Sequence, residues 1–123
     1  MYRGKRKDNS EWVEGYYSYN PFMKRAEIFS FDDVRCYVFE VIPETVGQYT
    51  EVNASGGKKI FEGDIIKCSM IYEIGCYPYE KIEIRKVEYI EGCFCPLYEY
   101  RKGTAEIIGN VYDNPELIPL ITI

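Results

Sequence analysis

Nucleophilic catalysis by Ser or Cys needs a neighbouring base, most often His, and this 123-residue chain contains no His. The Gly-x-Ser-x-Gly elbow is absent as well. Carboxylate pairs would have to supply any remaining acid–base or cation chemistry: Asp32-Asp33, Glu62 with Asp64, and Asp113 with Glu116. All three fall in turn-like sequence, where Asp and Glu also cap backbone amides and stay hydrated. Five cysteines, Cys36, Cys68, Cys76, Cys93 and Cys95, lack the spacing of a zinc knuckle. Such a site needs two ligands two to four residues apart so that one turn aims both sulfurs, and the closest pair here is Cys93-Phe94-Cys95. No metal and no cofactor is therefore expected, and a reducing compartment keeps the cysteines as thiols. Ser55-Gly56-Gly57-Lys58-Lys59 has the look of a phosphate loop but lacks its first Gly and the Ser or Thr after Lys. It leads into a strand, so a hairpin turn is the reading. The sequence is expected not to encode an enzyme.

Charge and aromatics leave binding as the alternative. The net charge of −5 opposes phosphate-driven nucleic-acid recognition. One local exception is the run Arg3, Lys5, Arg6 and Lys7, which is either a solvated terminus or a contact for nucleic-acid phosphates. Thirteen tyrosines are too many for one core. Tyr16, Tyr17, Tyr19, Tyr72, Tyr77, Tyr79, Tyr89, Tyr98 and Tyr100 are either an interface, where Tyr gives contact area at little entropic cost, or cross-strand pairs on a wet sheet face.

The elements that must position these residues are strands. Ile, Val, Tyr, Phe, Thr and Trp dominate the apolar set while Leu and Ala are scarce, which suits pleated, half-buried surfaces. A strand is expected over 11–19, and a hairpin over 27–42 around Asp32-Asp33. Within it the continuous apolar run Cys36-Tyr37-Val38-Phe39 predicts a central strand buried on both faces. Pro43 to Gly47 offers one helical turn. Asn53 to Gly57 is a loop, and Lys58–Phe61 and Ile65–Cys68 flank a turn in which Gly63 takes a positive φ. Over 80–91, Ile82 and Ile84 point one way and Glu83 and Arg85 the other, until the phase slips near Val87, as at a bulge or a change of partner. Leu97–Arg101 is expected to pair with Thr104–Tyr112 across Lys102-Gly103, and Asn114-Pro115 caps a final turn. The fold class is all-β: short-stranded sheets with isolated single helical turns.

Three segments together resemble the YopX family of small proteins from phages and prophages of Gram-positive bacteria. They are Arg3-Gly4-Lys5-Arg6-Lys7-Asp8-Asn9 with Glu11-Trp12-Val13 and Gly15-Tyr16; Pro43 to Thr50 with Gly57 to Ile66; and Ile107 to Leu117. The resemblance implies an all-β chain whose C-terminal part is a small barrel of the Src-homology-three type at 44–118. Residues 1–43 would then form an N-terminal β segment packed on it, and 119–123 a tail. Members often carry Gly-Leu where this chain has Glu51-Val52. The family lends no activity and no catalytic residues. Gly47, Gly63, Gly109 and Pro115 read as turn residues. Gln48, Tyr49, Asp64, Asn110 and Asn114 join Arg3, Lys5, Arg6 and Lys7 as candidate binding residues.

The expected function is a non-catalytic phage or prophage accessory protein that binds a protein partner or its own copies. The alternative is a nucleic-acid-binding small barrel using Arg3 to Lys7 and surface tyrosines. A third reading, a metal-dependent enzyme built on Asp64, has least behind it. With no apolar stretch after the basic start, a cytoplasmic location in the host is expected, with no membrane partner.

Overall fold

The computed structural model describes residues 1–97 and 100–122. The chain divides into two compact units, Met1–Tyr49 and Thr50–Ile123.

In the first unit β1 (Tyr2–Lys5), β2 (Trp12–Asn20), β3 (Arg25–Phe31) and β4 (Cys36–Val41) pair antiparallel in the order β4-β3-β2-β1. The start of β5 (Gly47–Asn53) adds to β1, with Gly47 opposite Arg3 and Gln48 opposite Tyr2. Turns follow local side chains. Asn20 Oδ1 accepts the Phe22 and Met23 N–H groups at 3.0 and 3.1 Å, and Asp32 Oδ1 accepts those of Val34 and Arg35 at 2.8 and 2.6 Å. The core is Ala26, Ile28 and Val41, with Val13, Tyr17 and Val46 against it. Two glycines make that packing possible through space rather than φ. A Cβ on Gly15 would lie 2.1 Å from the Phe29 carbonyl oxygen, and one on Gly4 3.2 Å from Ile28 and Val41. A turn of 3-10 helix over Pro43–Thr45 follows, as expected from the sequence.

The Cys36–Phe39 run is not central. β4 is the last strand of its sheet, with Cys36, Tyr37 and Val38 exposed. The run is apolar because Tyr37 and Phe39 stack on each other, at 6.3 Å between ring centroids, while Val38 faces outward. Among the described residues no second neighbouring strand covers it.

The second unit holds the rest of β5, β6 (Lys59–Phe61), β7 (Asp64–Ile74), β8 (Tyr77–Lys86), β9 (Glu88–Ile90), β10 (Cys93–Cys95) and β11 (Glu106–Asn110). β11, β7 and β8 form one antiparallel sheet in that order, and β9 pairs with β10. Ile60, Ile66, Cys68, Met70, Val87, Tyr100, Ala54 and Ala105 make its core. Gly63, at φ 94°, fits the positive value expected of it. The phase slip is a bulge: Val87, fully buried, bonds both Asp64 and Gly63, so two residues oppose one there before β9 turns to β10.

Three expectations need correction here. Thr104–Tyr112 does contain a strand, β11, but its partner is β7, with Glu106 opposite Lys67 and Asn110 opposite Asp64. The other half of the expected hairpin includes Tyr98 and Glu99, which lie outside the described residues. The alternation at 82–85 is real but its buried side is the polar one: Glu83 is buried and Ile82 is 68% exposed. Asn114 precedes the 3-10 turn Pro115–Leu120 without capping it; its Oδ1 accepts the Asn110 N–H at 3.2 Å instead. Among the described residues the sheets are open, and none closes into a barrel.

Candidate functional site

The basic cluster straddles the end of β1. Arg3 and Lys5 alternate onto one face, where Trp12, opposite Lys5 on β2, receives both: the Arg3 guanidinium lies 4.6 Å and the Lys5 Nζ 5.7 Å from its ring centroid. Beyond β1 the chain bends back to β4. Lys7 N–H donates to the Glu40 carbonyl and Ile42 N–H to the Lys5 carbonyl, both at 2.9 Å, around a single Arg6–Val41 bridge. This bend sets Arg6 over the Phe39 ring at 4.6 Å, with its guanidinium on both oxygens of Asp8 at 3.0 and 2.6 Å. The paired Arg6 in turn holds the Asp8 carboxyl below its ordinary range. Lys7 Nζ and Arg25 Nε share Glu40, at 3.2 and 3.4 Å. Between β4 and the departing chain lies a recess of about 430 Å³, walled by Arg6, Lys7, Arg25, Val38 and Phe39 together with Asp8 and Glu40.

The hydrogen-bond phase of β4 decides what this recess adjoins. Asp32 N–H donates to the Arg35 carbonyl across the hairpin turn at 2.9 Å, so Tyr37, Phe39 and Val41 direct their backbone groups into the sheet. Cys36, Val38 and Glu40 direct theirs outward. Glu40 is met there by Lys7, while no hydrogen bond reaches the outward groups of Cys36 and Val38 among the described residues. The outer side-chain face continues this edge: Tyr16, Phe29 and Val38 stand in register across β2, β3 and β4, with Phe31 5.9 Å from Tyr16 by ring centroids. Sequence reasoning missed Val38, Phe39, Glu40 and Arg25. The signal was the Val34–Ile42 apolar run itself, which lacks the Pro or Lys that edges usually carry.

The other predicted residues have structural duties. Asp64, 1% exposed, accepts the Phe61 N–H at 2.8 Å and closes the Gly63 turn. Asn110 Oδ1 accepts the Tyr112 and Asp113 N–H groups at 3.0 and 2.8 Å. Asn114 packs where a Cβ on Gly109 would lie, 2.6 Å from its Oδ1, which explains the glycine by close approach. Pro115 occupies the first position of the last 3-10 turn, and Gly47 opens β5. Gln48 is exposed, and Tyr49 donates its N–H to the Met1 carbonyl at 2.8 Å. Asp64, Asn110 and Asn114 thus gather in the second unit, and the remaining candidates in the first. The carboxylate pairs serve turns: Asp32 as above, Asp113 on Asn110 Nδ2 at 3.2 Å, and Glu116 on Asn114 Nδ2 at 3.3 Å. Hydrogen bonds from the Val34 and Arg35 amides lower the Asp32 pKa.

A second polar cluster went unread in the sequence. Cys68 and Glu83 are cross-strand partners, and the Tyr72 hydroxyl donates to the buried Glu83 carboxylate, with Arg85 at 3.9 Å. That bond to Glu83 raises the Tyr72 pKa, while burial raises that of the Cys68 thiol. A thiol held protonated is a poor nucleophile, and Glu83 reads as a satisfied core carboxylate. All the cysteines that are described are free, and no group of three or more Cys, Asp or Glu able to hold a cation occurs among the described residues. No helix there is long and apolar enough to cross a membrane.

The molecule therefore falls in the class of small all-β proteins whose chemistry-bearing side chains mostly hold turns and sheets together. The YopX protein family matches residues 1–119, and the chain belongs to that family. No curated protein and no solved structure matches it.

Proposed function

We propose that this chain is a non-catalytic interaction module, a phage or prophage accessory protein that accepts a polypeptide strand along the edge of β4. The observation that carries the reading is the pair of outward, unmatched backbone groups at Cys36 and Val38, bordered by exposed apolar side chains. An edge of this kind recruits a further strand through main-chain hydrogen bonds, with side-chain pockets adding selectivity. For residues 44–118, the short antiparallel strands are the feature that supports a small barrel of the Src-homology-three type. Nucleic acid is the lesser partner in this reading, because Arg6 is engaged by Asp8 and Lys7 by Glu40.

A photo-crosslinking amino acid placed at position 38, compared with one at position 80, tests the reading in cells. Polypeptide adducts that form at 38 and are absent at 80 are the expected result. Equal yields at both positions, or adducts to nucleic acid alone, would overturn it.

A further inference from the structure

Resting on that reading, we infer that the strand accepted by β4 belongs to an extended peptide that carries an Asp or Glu side chain into the recess beside Val38. The recess lies where the chain after β1 peels away from β4, directly downstream of the open edge, so a strand added at Cys36 and Val38 passes its mouth. Its walls join an apolar surface, Val38 and the Phe39 ring, to three cations, Arg6, Lys7 and Arg25. Those cations share two carboxylates, Asp8 and Glu40, so the recess keeps a positive balance in a chain of net charge −5. The balance is incompletely quenched: Arg25 Nε is withdrawn from solvent and makes no hydrogen bond, its Glu40 oxygen standing at 3.4 Å. A carboxylate on the incoming strand would take up the remaining positive charge in a partly enclosed space, where such pairs are stronger than on open surface. Apolar residues at alternate positions would stand beside Val38 and extend the Tyr16–Phe29–Val38 row on the outer face by one strand.

A second copy of the chain fits this edge less well. Antiparallel pairing that satisfies Cys36 and Val38 of both copies sets Cys36 opposite Val38 of the twin, and so Arg35 opposite Phe39. That ring already carries the Arg6 guanidinium at 4.6 Å, so the pairing brings cation to cation.

Selection of a random dodecapeptide library on the immobilised full-length protein tests the inference. Enrichment of extended, β-branched peptides with at least one Asp or Glu is expected, with binding that weakens as salt rises. Two variants read the two halves of the site. Val38→Pro removes an outward N–H that no strand among the described residues uses, and Arg25→Glu reverses one wall of the recess. Each is expected to weaken the selected peptides about tenfold or more while the circular dichroism spectrum stays that of wild type. Peptides without acidic residues, binding that both variants retain, or no enrichment at all would overturn the inference. A mass that doubles at micromolar concentration and reverts in Val38→Pro would assign the edge to a second copy, and would overturn it too. If adducts at position 38 persist while the selection fails, the interaction reading stands and only the acidic-peptide assignment falls.

Discussion

β4 and β8 are both terminal strands of their sheets, and the chain treats them differently. In β8 the outward backbone positions are Pro78, Glu80, Ile82, Ile84 and Lys86, a phase fixed by the Thr122 N–H that reaches the Ile84 carbonyl from outside the sheet. Pro78 has no N–H to offer, Glu80 is tied to Arg101 at 2.9 Å, and Thr122 donates its N–H to the Ile84 carbonyl at 2.7 Å. Proline, charge and a covering segment are the usual means of keeping an edge from pairing. In β4 the equivalent positions are Cys36 and Val38, with none of these devices before Lys7 meets Glu40. β8 is thus guarded on either side of Ile82, whereas β4 presents Cys36 and Val38 in succession with no guard, the contrast that strand addition would exploit.

The comparison can be broken most severely from beneath β4. Gly15→Val puts a side chain where the Phe29 carbonyl oxygen lies 2.1 Å away, so β2 and β3 must separate and β4 loses its support. Thermal unfolding should show a loss of about 3 kcal/mol or more, and crosslinking at position 38 should vanish. Beneath β8, Tyr72→Phe strips the buried Glu83 of its hydroxyl donor and should cost about 1–3 kcal/mol in denaturant titration. Because that cluster belongs to the guarded sheet, the variant should still react at position 38. Removing the guards is gentler: Pro78→Thr combined with Thr122→Pro, which deletes the N–H that reaches the Ile84 carbonyl, should change stability by no more than about 1 kcal/mol. Light scattering should nonetheless reveal concentration-dependent association that wild type lacks at β8. The smallest effect concerns acid. Asp32 accepts two amides at the turn that launches β4, and its folded pKa is lowered from 3.8. The stabilisation it gives is present above the unfolded value and is lost as pH falls through the lower, folded one. The melting-temperature gap between wild type and Asp32→Ala should therefore be constant near neutrality and close as pH drops below 3.8.

Much of this architecture was legible as residue chemistry. Branched and aromatic composition announced strands, Asp32 stood where a turn needed an acceptor, Gly63 where φ had to be positive, and Pro43 and Pro115 where 3-10 turns begin. What escaped depends on partners distant in sequence. A continuous apolar run reads alike whether both faces are buried or one edge is left open, so Cys36–Phe39 was placed in the centre of a sheet. Period alone says which side chains share a face but not which face is buried, so Glu83 inside and Ile82 outside were invisible. The pairing of β11 with β7 skips the nearer segment, and no local signal marks it. Of the candidate site, the cations at Arg6 and Lys7 were legible; Arg25, Glu40 and Phe39, which give the recess its shape, come from the hairpin folding back upon them.

Amide hydrogen exchange along β4 in the dilute free protein addresses the open edge most directly. The account predicts an alternation in which Tyr37 and Phe39, bonded into the sheet, exchange slowly while Cys36 and Val38 exchange near the rate of exposed amides. Slow exchange at Val38 in the dilute monomer would mean that the edge is already covered, and would contradict the central claim.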